Sequence, residues 1–129
     1  MKQLVETERA PRPKGAYSQA VVAGGTVWVA GQGPYDPATG EIVGATIAEQ
    51  TRQTLRNLEA VLHAAGARLG DVVRVGAHLA SFDLFADYDA AYREFFAEAR
   101  PARTTVASGL GGILVEIDAV AVLGAGGAG

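Results

Sequence analysis

Two charged residues in the C-terminal third have the chemistry and the setting of a functional site. Arg103 lies in the string Pro101-Ala102-Arg103-Thr104, at the start of a predicted strand. Its planar guanidinium offers a fork of donors that fits a carboxylate. Glu116 lies in a strand rich in valine and isoleucine, where poor solvation tunes a carboxylate for proton transfer. An anion-binding cation and a proton-transferring acid are therefore the first candidates.

Each candidate has a structural alternative that the sequence leaves open. Arg103 could equally be a surface arginine paired with a nearby acid. Glu116, like Asp118 two residues later, could be a carboxylate on a solvated sheet face. Among the other polar residues, His78 is predicted to be a hydrogen-bonded structural group, and Ser108 shows no sequence sign of a paired base. A serine-hydrolase triad is therefore not expected.

The composition excludes several classes of site. The chain has no cysteine, which rules out disulfides, thiolate catalysis and every cysteine-ligated metal centre. It has two histidines, too few for a multi-histidine metal site. The formal net charge of -3 provides no basic field for a phosphate backbone. The charge balance therefore argues against a nucleic-acid partner.

The length and the termini suggest one intracellular domain. A chain of 129 residues fits a single ordinary domain, which we predict to span 1–123. The Gly/Ala-rich segment 124–129 is predicted to be a disordered tail. No apolar run is long enough to cross a membrane, and the first residues lack the apolar stretch of a signal peptide. We therefore expect a cytoplasmic protein without a membrane partner.

Two segments carry helical signals. Thr46 and Glu49 match a capping box at the start of a helix predicted over 46–65. Its apolar residues fall on one side, which is typical of a helix that covers a sheet. A second helix is predicted over 84–97, with Asp83 as its N-cap.

The other segments alternate as strands do. A hairpin with a Gly-Gly turn is predicted over 21–30, and a short strand over 41–43. A longer strand covers 72–80, and the strands 104–107 and 113–123 are predicted to form a closing hairpin. This order predicts an α+β fold: a single mixed six-stranded sheet with two helices on one face.

The last strand predicts that the protein associates with itself. Alternate residues point to opposite faces of a strand, and both faces of this one are apolar. Leu114, Val120 and Val122 point away from the helices. Because an uncovered apolar face is a liability in a monomer, we expect further copies to cover it.

A series of short motifs resembles those of the RidA (YjgF) family in content and order, and the resemblance runs from about Lys2 to Leu123. No single motif is decisive, but their number and order are specific to that family. They are Gly15-Ala-Tyr17-Ser18-Gln19-Ala20, Val29-Ala-Gly31-Gln32-Gly33-Pro34, Asp36-Pro-Ala-Thr39-Gly40-Glu41, Glu49-Gln50-Thr51-Arg52-Gln53-Thr54-Leu55-Arg56-Asn57-Leu58, Ala65-Gly66 with Tyr92 to Phe96, Pro101-Ala-Arg103-Thr104, and Val115-Glu116-Ile117-Asp118-Ala119-Val120-Ala121.

The resemblance implies a homotrimer of chorismate-mutase-like subunits with clefts between neighbours. It implies hydrolysis of reactive enamine and imine intermediates, such as 2-iminobutanoate and 2-iminopropanoate, to 2-oxo acids and ammonia. This metabolite damage control needs no metal or cofactor. Arg103 matches the clamp for the substrate carboxylate, and Glu116 the acid that positions the attacking water. Tyr17 (from across the interface), Gly31 and the backbone at Thr105 match contacts around the substrate.

Some positions depart from the family pattern. Ala30 replaces a typical serine, Asp89 lies near a typical asparagine, and Thr105 replaces a frequent cysteine; the turn 109–112 is short. These departures leave the preferred imine side chain open. Two other functions also stay open: an endoribonuclease or translation inhibitor, and a non-catalytic trimer that binds small carboxylates as a regulator.

Overall fold

The computed structural model describes residues 1–127, and it confirms the predicted α+β fold. One mixed sheet of six strands carries two α-helices on one face. The elements, in chain order, are β1 (Gln3–Val5), β2 (Ala20–Ala23), β3 (Thr26–Gln32), α1 (Ile47–Ala64), β4 (Val72–Leu79), α2 (Phe85–Phe96), β5 (Ala102–Ala107) and β6 (Val115–Val122), with short 3-10 turns at Leu69–Asp71 and Phe82–Leu84.

The order of strands corrects the predicted closing hairpin. The sheet runs β1-β2-β3-β6-β4-β5, so β4 lies between the last two strands. β5 pairs with β4 in parallel, whereas every other pair is antiparallel. A parallel pair needs a long crossover, which α2 provides, and β6 then enters between β3 and β4. The hairpin prediction was wrong because it considered only neighbours in sequence.

The first helix is set by local signals that the sequence displays. The Thr46 side chain accepts from the Glu49 amide, and the Glu49 carboxylate accepts from the Thr46 amide, which confirms the capping box. Past the last turn, Gly66 has a φ of 84°, a conformation that glycine adopts without strain. The predicted apolar side is buried against the sheet: Ile47, Thr51, Leu55, Leu58, Val61 and Leu62.

Two local predictions were wrong. Asp83 is not the N-cap of α2, because a 3-10 turn precedes the helix and the Ser81 hydroxyl accepts from the Asp83 amide at 3.1 Å. The segment 41–43 forms no strand and contributes only an isolated bridge between Tyr35 and Ile42. Both errors arise where a short turn competes with a regular element.

The two faces of the sheet differ in burial. The helix-covered face holds the core, which includes Val27, Val75 and Ile117. The helix-free face exposes large apolar side chains, with Trp28 54 % and Val106 39 % exposed. The uncovered apolar face predicted from the sequence is therefore present in the single chain.

The described part of the predicted C-terminal tail, residues 124–127, makes hydrogen bonds to the region around Asp71. The Gly126 amide donates to the buried Asp71 carboxylate at 2.8 Å, and the Arg68 side chain donates to the Gly127 carbonyl. Residues 128 and 129 lie outside the described part of the chain. Within residues 1–127 no helix has the length and apolar character to cross a membrane.

Candidate active site

Glu116 is placed by β6 on the helix-free face. Its neighbours Val115 and Ile117 are buried under the helices, so strand alternation turns Glu116 the other way. There its carboxylate lies over Gly31 of β3. A Cβ added to Gly31 would be 2.9 Å from Glu116 Oε2, closer than such atoms approach in proteins. Glycine at position 31 is therefore what lets the carboxylate occupy this place.

A bulge in β3 contributes to the same arrangement. Val29 is opposite Ala119, whereas Gln32 is opposite Ile117, so β3 uses one more residue than β6 over this stretch. Such an extra residue bends a strand and re-aims its neighbours, and bulges are common beside active sites. Here it lies at Ala30 and Gly31, directly beside the carboxylate.

A small cavity of about 120 Å³, the Glu116 cavity, brings three of the sequence candidates together. It is lined by Glu116, Gly31 and Tyr17, together with Lys14 and other residues. The Tyr17 hydroxyl accepts from the Lys14 amide at 3.2 Å, and the Tyr17 side chain is half exposed. Within residues 1–127, Glu116 forms no ion pair and its carboxylate accepts no hydrogen bond. Its oxygens are therefore available to a water or a substrate.

Two buried amide side chains, whose role the sequence did not reveal, hold the walls of the Glu116 cavity. Asn57 of α1 donates to the carbonyls of Gly33 and Tyr35 at 2.9 and 2.8 Å, which fixes the loop after β3. Gln19 is 2 % exposed and donates to carbonyls of the N-terminal segment, including that of Pro11 at 2.9 Å. The sequence could have revealed them, because each places an amide side chain at a buried position. A buried amide group needs hydrogen-bond partners.

Arg103 lies on the other side of the sheet. It is opposite Val75, whose side chain is fully buried under the helices, so the Arg103 side chain points towards α2. Nη1 donates to Asp89 Oδ1 at 2.8 Å, and the guanidinium carbon lies 4.5 Å from the centre of the Tyr92 ring. The arginine is therefore paired with an acid, as the structural alternative in the sequence predicted.

The surroundings of Arg103 favour its charged form. Burial is the largest single effect and lowers the pKa of Arg103, but the hydrogen bond to Asp89 and the charge interactions with Asp89, Tyr88 and Tyr92 together outweigh it, and the pKa rises above its ordinary value. Burial also raises the pKa of Tyr92 to about 12, so its ring stays neutral under the guanidinium. Thr105 follows on the same side of β5 and is partly buried. The site thus presents a permanent cation on an aromatic support.

A second cavity of about 410 Å³, the Arg103 cavity, opens beside this cation. It is lined by Arg103, Asp89, Tyr92, Arg93 and Arg100, among others. Three guanidinium groups and one carboxylate give it a positive balance. This is suited to an anionic ligand.

One chain does not bring Arg103 and Glu116 together. Their strands are separated by β4, a spacing of roughly 10 Å, and their side chains leave opposite faces of the sheet. They line different cavities. The pair that the family resemblance implies cannot therefore act on one substrate from within a single subunit.

The other polar candidates are accounted for. His78 Nδ1 and Ser108 Oγ lie 2.8 Å apart, which confirms His78 as a hydrogen-bonded group and gives Ser108 a partner that the sequence did not reveal. Asp118 leans over Gly76, where a Cβ would be 2.8 Å from its carboxylate oxygens. Among residues 1–127 no three histidine or acidic side chains cluster as metal ligands would.

Comparison with known proteins identifies the family. The family model described as Endoribonuclease L-PSP matches residues 7–123. The chain belongs to the RidA/YjgF family. A RutC family protein of Pyrococcus horikoshii is 48 % identical over 123 residues, which are 94 % of this chain and 98 % of that one.

Two further members of the RidA/YjgF family bear on activity. A Rattus norvegicus protein named 2-iminobutanoate/2-iminopropanoate deaminase is 37 % identical over 126 residues, 96 % of this chain and 92 % of that one. The crystal structure of E. coli TdcF with bound serine superposes with a TM-score of 0.87 at 36 % identity, covering 93 % of this chain and 98 % of TdcF. The family thus includes proteins named for imine deamination and a member that binds an amino acid.

Proposed function

We propose that this protein hydrolyses 2-imino acids to 2-oxo acids and ammonia, in a groove formed by two copies of the chain. The observation that carries the proposal is the Glu116 carboxylate, which lies in a cavity with Tyr17 and has no partner within residues 1–127. Such a carboxylate can hold a water molecule and accept its proton. Similarity to proteins named imine deaminases supports this reaction.

The substrate carboxylate is the group that Arg103 would bind. A guanidinium with free in-plane donors binds a carboxylate through two parallel hydrogen bonds. In this chain the guanidinium is supported by the Tyr92 ring and one of its donors is used by Asp89. Arg103 also lines the positively balanced Arg103 cavity, where a carboxylate can approach it. TdcF, a relative that holds serine, is itself a binder of a molecule with such a carboxylate.

The separation of the two cavities indicates that the complete site needs two copies. The exposed apolar side chains of the helix-free face, such as Trp28 and Val106, give a reason for that face to be covered by other subunits. Assembly as a homotrimer would set the Arg103 cavity of one copy against the Glu116 cavity of the next. Each groove would then contain one cation and one free carboxylate.

The chemistry requires few groups. The carbon of a C=N bond is electrophilic, so a positioned water can add to it while Glu116 accepts a water proton. Glu116 passes that proton to the nitrogen, which gives a tetrahedral adduct with one hydroxyl and one amino group. Glu116 then moves the hydroxyl proton to the amino group, and the C–N bond breaks as the carbonyl forms, so that ammonia leaves. Glu116 ends in its original state. The net reaction consumes one water and needs no oxidant or metal.

A coupled assay tests the reaction. Imines are generated from an amino acid by a pyridoxal-phosphate dehydratase, and the rate of 2-oxo acid formation is followed. We expect wild type to accelerate the rate, and Arg103→Ala or Glu116→Gln to lower it at least about a hundredfold. Matched controls are Arg52→Ala, which breaks an exposed pair with Glu94, and Asp118→Asn. Unchanged turnover in either site variant contradicts the proposal.

Mixing the two inactive variants tests the shared groove. In mixed trimers, a groove that takes Arg103 from one copy and Glu116 from its neighbour is intact for about a quarter of the interfaces. Activity should return to about that fraction of wild type after subunit exchange. If each site lay within one chain, mixing would restore nothing.

A further inference from the structure

Asp89 is the closest charged neighbour of the cation that we assign to substrate binding. Its Oδ1 accepts from Arg103 Nη1 at 2.8 Å, and its Oδ2 accepts from Arg93 at 3.3 Å. The side chains of Asp89 and Arg103 are 27 % and 21 % exposed, whereas that of Arg93 is 71 % exposed. The pair with Arg103 is therefore the shorter and the better shielded from solvent.

The aromatic support leaves a ligand few ways to reach the guanidinium. The Arg103 guanidinium carbon lies 4.5, 5.3 and 5.6 Å from the ring centres of Tyr92, Tyr88 and Phe85. All donors of a guanidinium lie in its plane, so stacking blocks a face and leaves only the edges. Asp89 already occupies part of one edge. A substrate carboxylate must use the remaining donors, within a few ångströms of the Asp89 oxygens.

We propose that Asp89 determines the affinity of this site for carboxylates, because its own carboxylate competes with the substrate for Arg103. The inference rests on the function proposed above. Two like charges that share one guanidinium repel each other, and the repulsion weakens the bound state of every anionic ligand. Asp89 acts through Arg103 and does not touch the reacting atoms. It is therefore a residue that sets ligand affinity through Arg103, not a catalytic one.

Asparagine and alanine separate the two effects of Asp89. Asp89→Asn keeps an oxygen that accepts from Arg103 but removes the negative charge. Asp89→Ala removes both, so the guanidinium loses its anchor as well as its competitor. Glu94 offers a matched control on the same helix, since it also pairs with an arginine, Arg52, at 2.9 Å but on the exposed side.

The binding test uses 2-oxobutanoate, a stable product of the proposed reaction, with calorimetric titration of the assembled protein at low and high salt. At low salt, Asp89→Asn should bind it about three- to tenfold more tightly than wild type. The gain should shrink at high salt because ions screen the repulsion. Glu94→Gln should bind as wild type does. Equal or weaker binding by Asp89→Asn overturns the inference.

Kinetics give the second readout. Asp89→Asn should lower KM by a similar factor and leave kcat within about twofold, because the charge acts on ground-state and transition-state carboxylates alike. A fall in kcat without a change in KM would overturn the proposed competition. Arg103→Ala distinguishes the two proposals: if it binds 2-oxobutanoate as wild type does, the proposed function fails. If it binds weakly while Asp89→Asn is unchanged, only the inference about Asp89 fails.

Discussion

Arg103 and Glu116 have opposite charges, and the fold holds them in opposite ways. Arg103 is fixed by other side chains: a hydrogen bond to Asp89 and the faces of Tyr92 and its neighbours. Glu116 is placed by the backbone, since a glycine and a bulge in β3 leave space for it. The comparison shows where each group is vulnerable. Substitutions of side chains on α2 should disturb the guanidinium of Arg103. Substitutions in β3 that add a Cβ or change the backbone should displace the carboxylate of Glu116.

Gly31→Ala should cause the largest loss of turnover, because it displaces the Glu116 carboxylate and leaves Arg103 unchanged. The new Cβ would displace Glu116, and a misplacement of about 1 Å costs roughly a hundredfold in turnover. The affinity for 2-oxobutanoate, set by Arg103, should stay within about twofold. Both are measured on one preparation by the coupled assay and by titration.

Gly109→Ala is the matched control for that substitution. A Cβ there meets nothing within 4 Å, and its φ lies outside the positive region. It should leave both quantities unchanged. Full turnover in Gly31→Ala would show that glycine at this position is not what places Glu116.

Tyr92→Leu should have an intermediate effect, which is limited to ligand binding by Arg103. Loss of the ring removes a cation–π contact of about 0.5–2 kcal/mol, so 2-oxobutanoate should bind about two- to thirtyfold more weakly. Tyr92→Phe retains the ring and should bind as wild type does. If both variants bind 2-oxobutanoate equally weakly, the effect belongs to the Tyr92 hydroxyl, and the ring is not what supports Arg103.

Substitution of Asp71 should have the smallest effect, and this effect is on stability. Unlike Glu116, Asp71 is a carboxylate held by hydrogen bonds, so it serves as a reference for the comparison. Amides of Gly126 and Arg68 donate to it and lower its pKa. Because the pKa of Asp71 is lower in the folded state, its ionisation stabilises the fold at pH values above its unfolded-state pKa, which is near 3.9. This stabilisation is lost as the pH falls through the folded-state pKa.

Asp71→Asn should therefore be less stable than wild type at pH 7 by about 1–2 kcal/mol, and the difference should shrink below about pH 4. Urea unfolding at fixed protein concentration measures it, with exposed Glu98→Gln as control. A difference that stays constant down to pH 2 would mean that the charge of Asp71 is not what the amides stabilise.

The sequence predicted those parts of the fold that depend on near neighbours. The capping box of Thr46 and Glu49 lies within one turn, so α1 could be placed almost to the residue. The alternation around Glu116 likewise identified its face. The hairpin at Gly24 and Gly25 formed as predicted, because two glycines with positive φ suit a tight turn.

What the sequence could not predict depends on pairing between distant segments. The contact of Gly31 with Glu116 joins residues 85 positions apart and depends on a bulge that no local pattern announces. The side of the sheet that Arg103 faces depends on the parallel pairing of β5 with β4, which the expected closing hairpin concealed. The candidate residues could therefore be named in advance, but their division between two cavities could not.

The place of β6 has a consequence for how the protein is made. It is synthesised after the other five strands of this sheet, yet it lies between them and joins β3 to β4. On the ribosome the nascent sheet stays in two separate pieces until β6 has emerged. A product that stops before Val115 would present two open strand edges to its neighbours, so premature termination should yield aggregates and not a smaller folded domain.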